Sequence, residues 1–92
     1  MYDFENFEWD AAKFAANLVK HGFNFRDAIQ VFEDVEEVTT ESFKNGELRY
    51  KTVGICEGSL VAVIHTPRGS NCRIISMRHV RNNERRAYYG NS

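Results

Sequence analysis

The sequence predicts one small α+β domain, and two features of its 92 residues carry that prediction. Apolar residues recur at helical spacing between residues 11 and 33, and after Asp34 the pattern changes to the period of two that is typical of strands. Short turn motifs separate the later apolar runs, which indicates an antiparallel meander. We therefore expect residues 1–92 to form a single domain, with an N-terminal helix hairpin packed on an antiparallel β-sheet and a short C-terminal helix.

The first helix is predicted over Ala11–Lys20, after a short aromatic strand at Phe4–Trp9. Asp10 is a suitable N-cap, and Gly22 is a suitable C-terminal stop. The expected buried stripe recurs every three or four residues and consists of Ala11, Phe14, Ala15 and Leu18. A second, polar face of the same helix carries Lys13, Asn17, Lys20 and His21.

A second helix is predicted from Asn24, with Asp27 placed as in a capping box. Its apolar stripe has the spacing i, i+3, i+4, i+7 and consists of Phe25, Ala28, Ile29 and Phe32. Only the Gly22-Phe23 turn separates the two helices, so we expect them to pack against each other as an antiparallel hairpin.

The remainder of the chain is predicted to form four strands and a helix. Val35–Thr40 is expected to be an edge strand, because its β-branched residues alternate with glutamates. The next three strands are predicted at Leu48–Cys56, Leu60–Thr66 and Asn71–Arg81. Turns are indicated at residues 44–46, 57–59 and 67–70. The final segment, Arg81–Tyr89, is expected to be a short helix that stops at Gly90.

Composition excludes several classes of protein. No apolar run approaches 18 residues, so no transmembrane helix is expected. The acidic N-terminus lacks the basic region of a signal peptide. Cys56 and Cys72 lie in apolar strand-like runs without CxxC spacing. We interpret them as small core residues of a cytoplasmic protein rather than as a disulfide.

Charge is distributed unevenly along the chain. Residues 1–43 hold ten acidic and three basic side chains, whereas residues 44–92 hold three acidic and nine basic ones. This asymmetry indicates either a positive surface for an anionic partner or two halves that neutralise each other across the fold.

The predicted strand Asn71–Arg81 combines an apolar run with three arginines. Basic side chains are costly on a core strand unless an anion meets them, so we expect this strand to carry a phosphate-binding site. In a regular strand Arg73 and Arg78 would point to opposite faces, because they are five residues apart. Either a bulge intervenes, or Arg78 lies beyond the strand end, or one of the two is structural; Arg73 is then the weaker site candidate.

The absence of several familiar motifs leaves few kinds of catalytic chemistry open to this sequence. The sequence has no nucleotide-binding glycine loop and no HExxH motif, and its histidines and cysteines lack metal-ligand spacing. Lysine, arginine, histidine and tyrosine are suited to RNA cleavage without a metal, because the ribose 2′-hydroxyl is itself the nucleophile. A non-catalytic RNA- or protein-binding module, acting chiefly as a co-repressor with its partner, is the alternative function.

Each site candidate has a chemical reason. His65 and His21 suit general acid–base catalysis, because imidazole titrates near neutral pH. Guanidinium groups pair with phosphate oxygens, which suits charge stabilisation by Arg49, Arg73 and Arg78. Tyr88 or Tyr50 suits stacking on an unpaired base. Alternatively, His65 is a residue of the hydrophobic core, and Tyr88 serves only to pack its helix. The nuclease hypothesis requires the guanidinium and imidazole groups to converge in one cleft. It also requires that these groups are not each held by a carboxylate. It predicts that Arg78→Ala leaves the fold intact.

Six segments of the chain resemble the signatures of BrnT-type toxins. The segments are FEWD at 7–10, KHG at 20–22, VFED at 31–34, HTPRG at 65–69, RIISMR at 73–78 and ERRAYY at 84–89. The resemblance implies a RelE-like ribonuclease fold and the toxin role in a type II toxin–antitoxin pair. His79-Val80 departs from the small residues expected after the RIISMR segment.

The same resemblance implies partners and site residues. The partners are RNA and a BrnA-like antitoxin, in a 2:2 heterotetramer that binds operator DNA through the antitoxin; no cofactor, metal or membrane is implied. The residues expected to act in catalysis are His21, Arg49, His65 and Arg78. Those expected to contact RNA are Lys13, Arg73, Arg81 and Tyr88, to which the polar face of the first helix adds Lys20.

Overall fold

The computed structural model describes residues 6–90, which form one five-stranded sheet with helices on both of its faces. In chain order the elements are β1 (Asn6–Trp9), α1 (Ala11–His21), a 3₁₀ turn (Phe25–Asp27), α2 (Ala28–Glu33), β2 (Val38–Lys44), β3 (Glu47–Cys56), β4 (Ser59–Arg68), β5 (Asn71–His79) and α3 (Asn82–Tyr88). The α+β class is confirmed. Phe4 and Glu5, which were assigned to the first strand, lie outside the described residues.

The strand order is β1-β5-β4-β3-β2, and the last four strands form the predicted antiparallel meander. Two-residue turns set its register, because Asn45-Gly46 and Glu57-Gly58 both adopt positive φ at each position. Strand β1 is parallel to β5 and lies at the opposite edge from β2. Two parallel strands need a long crossover connection between them. Here the connection from β1 to β5 contains α1, α2 and the strands β2, β3 and β4.

Strand β2 begins at Val38, three residues later than predicted, because a turn occupies the residues before it. The Asp34 carboxylate accepts the backbone N–H of Glu36 at 2.8 Å, and the Asp34 carbonyl accepts that of Glu37 at 3.0 Å. These bonds are typical of an aspartate that starts a turn. The strand lies at the edge of the sheet, as predicted.

Strand β5 contains a bulge that decides which face its arginines occupy. Ile64 pairs with Ser76 and His65 pairs with Ile74, so Ile75 is an extra residue on β5. Ile74 and Met77 are therefore both buried in the same core cluster, although they are three residues apart. The bulge places Arg73 and Arg78 together on the opposite face, which resolves the conflict in the strand prediction.

Helix α1 has the predicted ends but a different buried face. Asp10 accepts the backbone N–H groups of Ala12 and Lys13 at 2.9 and 3.0 Å, and Gly22 adopts the left-handed conformation. The predicted stripe is wrong, since Phe14 is half-buried and Ala11, Ala15 and Leu18 are exposed. The buried residue is Asn17, whose amide both donates to the Met77 carbonyl at 2.9 Å and accepts its N–H at 3.1 Å. The Asn17 side chain thus satisfies backbone groups of β5 beyond the end of β1.

The predicted helix hairpin is also wrong. Helix α1 packs on β5, whereas the short α2 packs on β3 and β4. Four buried apolar side chains of the 3₁₀ turn and α2 pack against the sheet, namely Phe25, Ala28, Val31 and Phe32. The approach is close at Gly54, where a Cβ atom would lie 2.8 Å from the Val31 carbonyl oxygen. Burial against the sheet therefore outweighs packing between the two helices.

Apolar side chains fill both faces of the sheet. The larger core lies under α1 and α2 and includes the free thiols Cys56 and Cys72, as expected of core cysteines. The smaller core lies on the other face, where Val53, Leu60 and Ala62 pack with Tyr88 of α3. Helix α3 therefore covers only part of its face, and the remainder of that face carries polar side chains.

Candidate functional site

Four basic side chains from two strands share the sheet face that α3 partly covers. We call this surface the basic face, and it consists of Arg49, Lys51, Arg73 and Arg78. Arg49 and Lys51 lie on the same side of β3 as Val53, which belongs to the core under α3. The register pairs Lys51 with Ile64 on β4 and Thr66 with Arg73 on β5. The predicted arginines therefore do converge on one surface.

A buried carboxylate joins two of these cations. Glu84 of α3 is 3% exposed, and its oxygens accept two hydrogen bonds from the Arg78 guanidinium at 2.8 and 2.9 Å. Lys51 Nζ lies 2.8 Å from the same carboxylate. The hydrogen bonds from Arg78 hold the pKa of Glu84 far below its usual range and raise that of Arg78. Two cations share one anion, so this cluster keeps a net charge of about +1.

The other two arginines form more open ion pairs. Arg49 Nε lies 2.9 Å from Glu47, and an Arg73 nitrogen lies 2.7 Å from Glu8. All three arginines of the basic face thus contact a carboxylate, so the requirement of the nuclease hypothesis that they are not each held by a carboxylate is not met. Ion pairs that reach solvent contribute only about 0.2–1 kcal/mol each, so an RNA phosphate can replace these two carboxylates. The Glu84 pair is buried and is not open to the same exchange.

A second basic surface lies around the outer edge of β5. A groove of about 200 Å³ between α1 and β5 is lined by Lys13, Lys20, His21, Asn17 and Ser76, which we call the α1 groove. Asp10 links it to the basic face: backbone hydrogen bonds from Lys13 and Ala12 lower the pKa of Asp10, and the charges of Arg73 and Lys13 lower it further. The structure therefore brings Lys13, Lys20 and His21 together, in a groove at the sheet edge.

The imidazole groups do not join the basic face. His65 is 2% exposed on the helix side of the sheet, where it packs edge-on against Phe32 and its Nε2 lies 2.8 Å from the Thr52 hydroxyl. His79 contacts the Phe23 ring on that side, and His21 lines the α1 groove. His65 occupies the core position that the sequence left open as its alternative role.

Burial of His65 predicts a pH-dependent stability. Desolvation lowers the pKa of His65 from 6.5 to about 4, so the unfolded chain binds a proton more readily than the folded one. The contribution of neutral His65 to the free energy of unfolding is complete above pH 6.5, and it is lost as the pH falls towards 4. We expect the free energy of unfolding to fall by about 2 kcal/mol between pH 7 and pH 5. Urea unfolding of the protein and of His65→Gln measures it; an equal fall in the variant would contradict this assignment.

Tyr88 and Arg81 flank the basic face on α3. The Tyr88 hydroxyl donates to Asp34 at 2.6 Å, and burial, followed by this bond, raises the pKa of Tyr88 to about 12. Tyr88 also packs on the smaller core, which is the packing role considered for it. Arg81 is exposed, and its backbone N–H donates to Glu84 at 2.8 Å.

Two members of the site were missed by sequence reasoning. Lys51 follows Arg49 at the strand period of two, and the alternation does place both on one face; what was missed is the part of Lys51 in the site. Glu84 is the single acidic residue after Glu57. An isolated carboxylate in a basic segment could have indicated an internal ion pair.

Among residues 6–90, no three His, Cys, Asp or Glu side chains are grouped so that they could hold a metal ion. In the same part of the chain, no helix has the length and apolar character needed to cross a membrane.

Comparison with known proteins gives one family. Residues 9–84 match the family model described as the ribonuclease toxin, BrnT, of type II toxin–antitoxin systems. No curated protein matches the chain. The match runs from Trp9, the last residue of β1, to Glu84 in the first turn of α3, and it includes the whole basic face.

Proposed function

The chain belongs to the BrnT family of ribonuclease toxins of type II toxin–antitoxin systems, and from this premise we propose that it is a cytoplasmic endoribonuclease whose basic face cleaves RNA without a metal. The observation that carries the proposal is the convergence of Arg49, Lys51, Arg73 and Arg78 on one face of the sheet, which α3 covers only in part. The α+β architecture is compatible with the RelE-like fold that the family resemblance implies.

The proposed reaction is attack of a ribose 2′-hydroxyl on the adjacent phosphorus. The P–O5′ bond breaks, and the products are a 2′,3′-cyclic phosphate and a 5′-hydroxyl. The arginines of the basic face stabilise the additional negative charge on the phosphoryl oxygens. Lys51 donates a proton to the departing 5′-oxygen, because a guanidinium does not lose its proton in proteins. The proton of the 2′-hydroxyl passes to solvent water, because His21 lies in the α1 groove and not on the basic face.

His65 takes no direct part in this proposal, because its ring is buried on the other side of the sheet. Arg78 is placed by its two bonds to Glu84 and contributes charge from a fixed position. Arg49 and Arg73 exchange their carboxylate partners for phosphate oxygens when RNA binds.

The two basic surfaces suggest a path for the RNA. The sugar-phosphate chain would cross the basic face at Arg49 and Arg73 and turn around the outer edge of β5. Lys13 and Lys20 of the α1 groove would then bind the next phosphates. Phosphate contacts of this kind confer affinity without sequence preference. Arg81 is exposed at the start of α3 and would bind RNA on the opposite side of the basic face.

The antitoxin is proposed to meet the acidic half of the chain. Glu33, Glu36 and Glu41 are exposed around α2 and the edge strand β2, on a different part of the surface from the basic face. A basic antitoxin segment would match this charge. The implied 2:2 heterotetramer would bind operator DNA through the antitoxin.

Incubation of the purified protein with RNA in EDTA tests the function. We expect cleavage in EDTA, with products that end in a 2′,3′-cyclic phosphate and begin with a 5′-hydroxyl. A parallel digestion with added Mg²⁺ controls for metal dependence. Binding of RNA without cleavage under both conditions would contradict the nuclease and favour a binding module. Cleavage that requires Mg²⁺ would contradict the proposed chemistry.

A further inference from the structure

A second cavity lies at the other end of α3, away from the basic face. It measures about 250 Å³, and its lining includes Ser59, Leu60, His79, Arg85 and Tyr89. We propose that this cavity binds a single unpaired nucleotide of the RNA substrate, upstream or downstream of the cleaved bond. This inference rests on the proposed ribonuclease function and adds a substrate-binding subsite to it. Its volume is just below the range of small-molecule sites, about 300–1,000 Å³, which suits one nucleobase with its phosphate.

The charge of the cavity comes from an arginine that forms no ion pair with a carboxylate of the described residues. Within residues 6–90, the ion pairs involve Arg49, Lys51, Arg73 and Arg78, and none involves the arginines of α3. Arg85 is exposed at the cavity wall and differs in this respect from each arginine of the basic face. A guanidinium without an internal partner is available to bind a phosphate in a bidentate manner.

An aromatic ring completes the chemistry of the subsite. Tyr89 is 65% exposed, and its ring packs edge-on against Tyr88 with centroids 5.1 Å apart. Tyr88 is itself fixed by its hydrogen bond to Asp34. The Tyr89 ring is therefore supported from one side while much of it faces solvent. Such a ring beside an arginine is the usual platform on which unpaired bases stack.

Strand β4 connects the cavity to the basic face. Leu60 lines the cavity, and Ile64, four residues along the same strand, pairs with Lys51. Four residues of a strand span about 13 Å. A single-stranded RNA that occupies the basic face can therefore reach the cavity within a few nucleotides. Duplex RNA would present no unpaired base to Tyr89, so the subsite would favour single-stranded substrates.

Substitution of neighbouring arginines tests the subsite. Arg85 and Arg86 carry the same charge on the same helix, and both are exposed, but only Arg85 lines the cavity. We expect Arg85→Ala to raise KM for a single-stranded oligonucleotide of about ten residues roughly tenfold, with kcat unchanged, as expected for loss of a phosphate contact. Arg86→Ala is expected to change KM less than twofold. Tyr89→Leu should raise KM, and Tyr89→Phe should not.

A dinucleotide substrate provides the second comparison, because it can fill the basic face but not the cavity. Its cleavage is expected to be equal in the protein, Arg85→Ala and Tyr89→Leu. Equal effects of Arg85→Ala and Arg86→Ala on the longer substrate would overturn the subsite while leaving the nuclease intact. Loss of antitoxin binding, without a change in KM for RNA, would also overturn it. Absence of cleavage by the unmodified protein would instead refute the proposed function.

Discussion

Replacement of Arg78 by alanine is expected to lower the free energy of unfolding by about 3 kcal/mol, at the lower end of the 3–5 kcal/mol that loss of one partner of a buried pair costs. Glu84 is almost fully buried and receives two hydrogen bonds from Arg78. Without Arg78 only Lys51 and the Arg81 backbone would remain to neutralise and bind it. The structure thus predicts a cost to the fold, where the sequence suggested that Arg78→Ala would leave it intact.

The matched variant removes both charges. Arg78→Met combined with Glu84→Leu leaves no buried anion, so we expect the double variant to recover most of the stability that Arg78→Ala loses. Urea unfolding at pH 7 followed by circular dichroism measures the three proteins. Equal stability of Arg78→Ala and the unmodified protein would show that Glu84 is not buried as an ion pair. A double variant less stable than Arg78→Ala would contradict the same account.

Loss of Arg49 or Arg73 is expected to reduce RNA cleavage by about 100-fold each, the lower end of the effect of removing one donor to developing charge. Both side chains lie on the basic face in ion pairs that reach solvent. Their removal should therefore change the free energy of unfolding by less than about 1 kcal/mol. Single-turnover cleavage of a labelled RNA, with urea unfolding of the same preparations, separates activity from stability.

The carboxylate partners supply the control for this prediction. Glu47→Gln and Glu8→Gln remove the anion and leave each arginine in place, so we expect cleavage to be retained or increased. Arg86→Ala removes the same charge from the exposed side of α3 and should leave single-turnover cleavage unchanged. If Arg49→Ala and Arg73→Ala cleave as fast as the unmodified protein, the basic face is not the active surface.

The fold could be predicted where local chemistry decides it. Asp10 and Gly22 set the ends of α1, and glycine-containing turns at positions 46 and 58 set the meander. Pairing between distant segments had no such signal. Strand β1 pairs with β5 across more than 60 residues, and the burial of Asn17 follows from backbone groups that this short strand leaves unpaired.

The residue types of the site could be predicted from the sequence, but the face of the sheet on which each side chain lies could not. The arginine-rich strand indicated a phosphate site, yet only the Ile75 bulge places Arg73 and Arg78 on one surface. His65 has the same residue type as a catalytic base, and its position opposite Tyr50 in the register puts it in the core instead. One residue of register reverses the face of a strand side chain, so residue type alone could not show that His65 lies in the core.

Side-chain NMR of the protein with an RNA that carries a 2′-deoxyribose at the cleaved position tests the central claim most directly, because this substrate binds but cannot react. The account predicts that the largest shifts occur at Arg49, Lys51 and Arg73, while the His65 ring signals remain unchanged. Shifts confined to the helix side of the sheet, with those three residues unaffected, would contradict it.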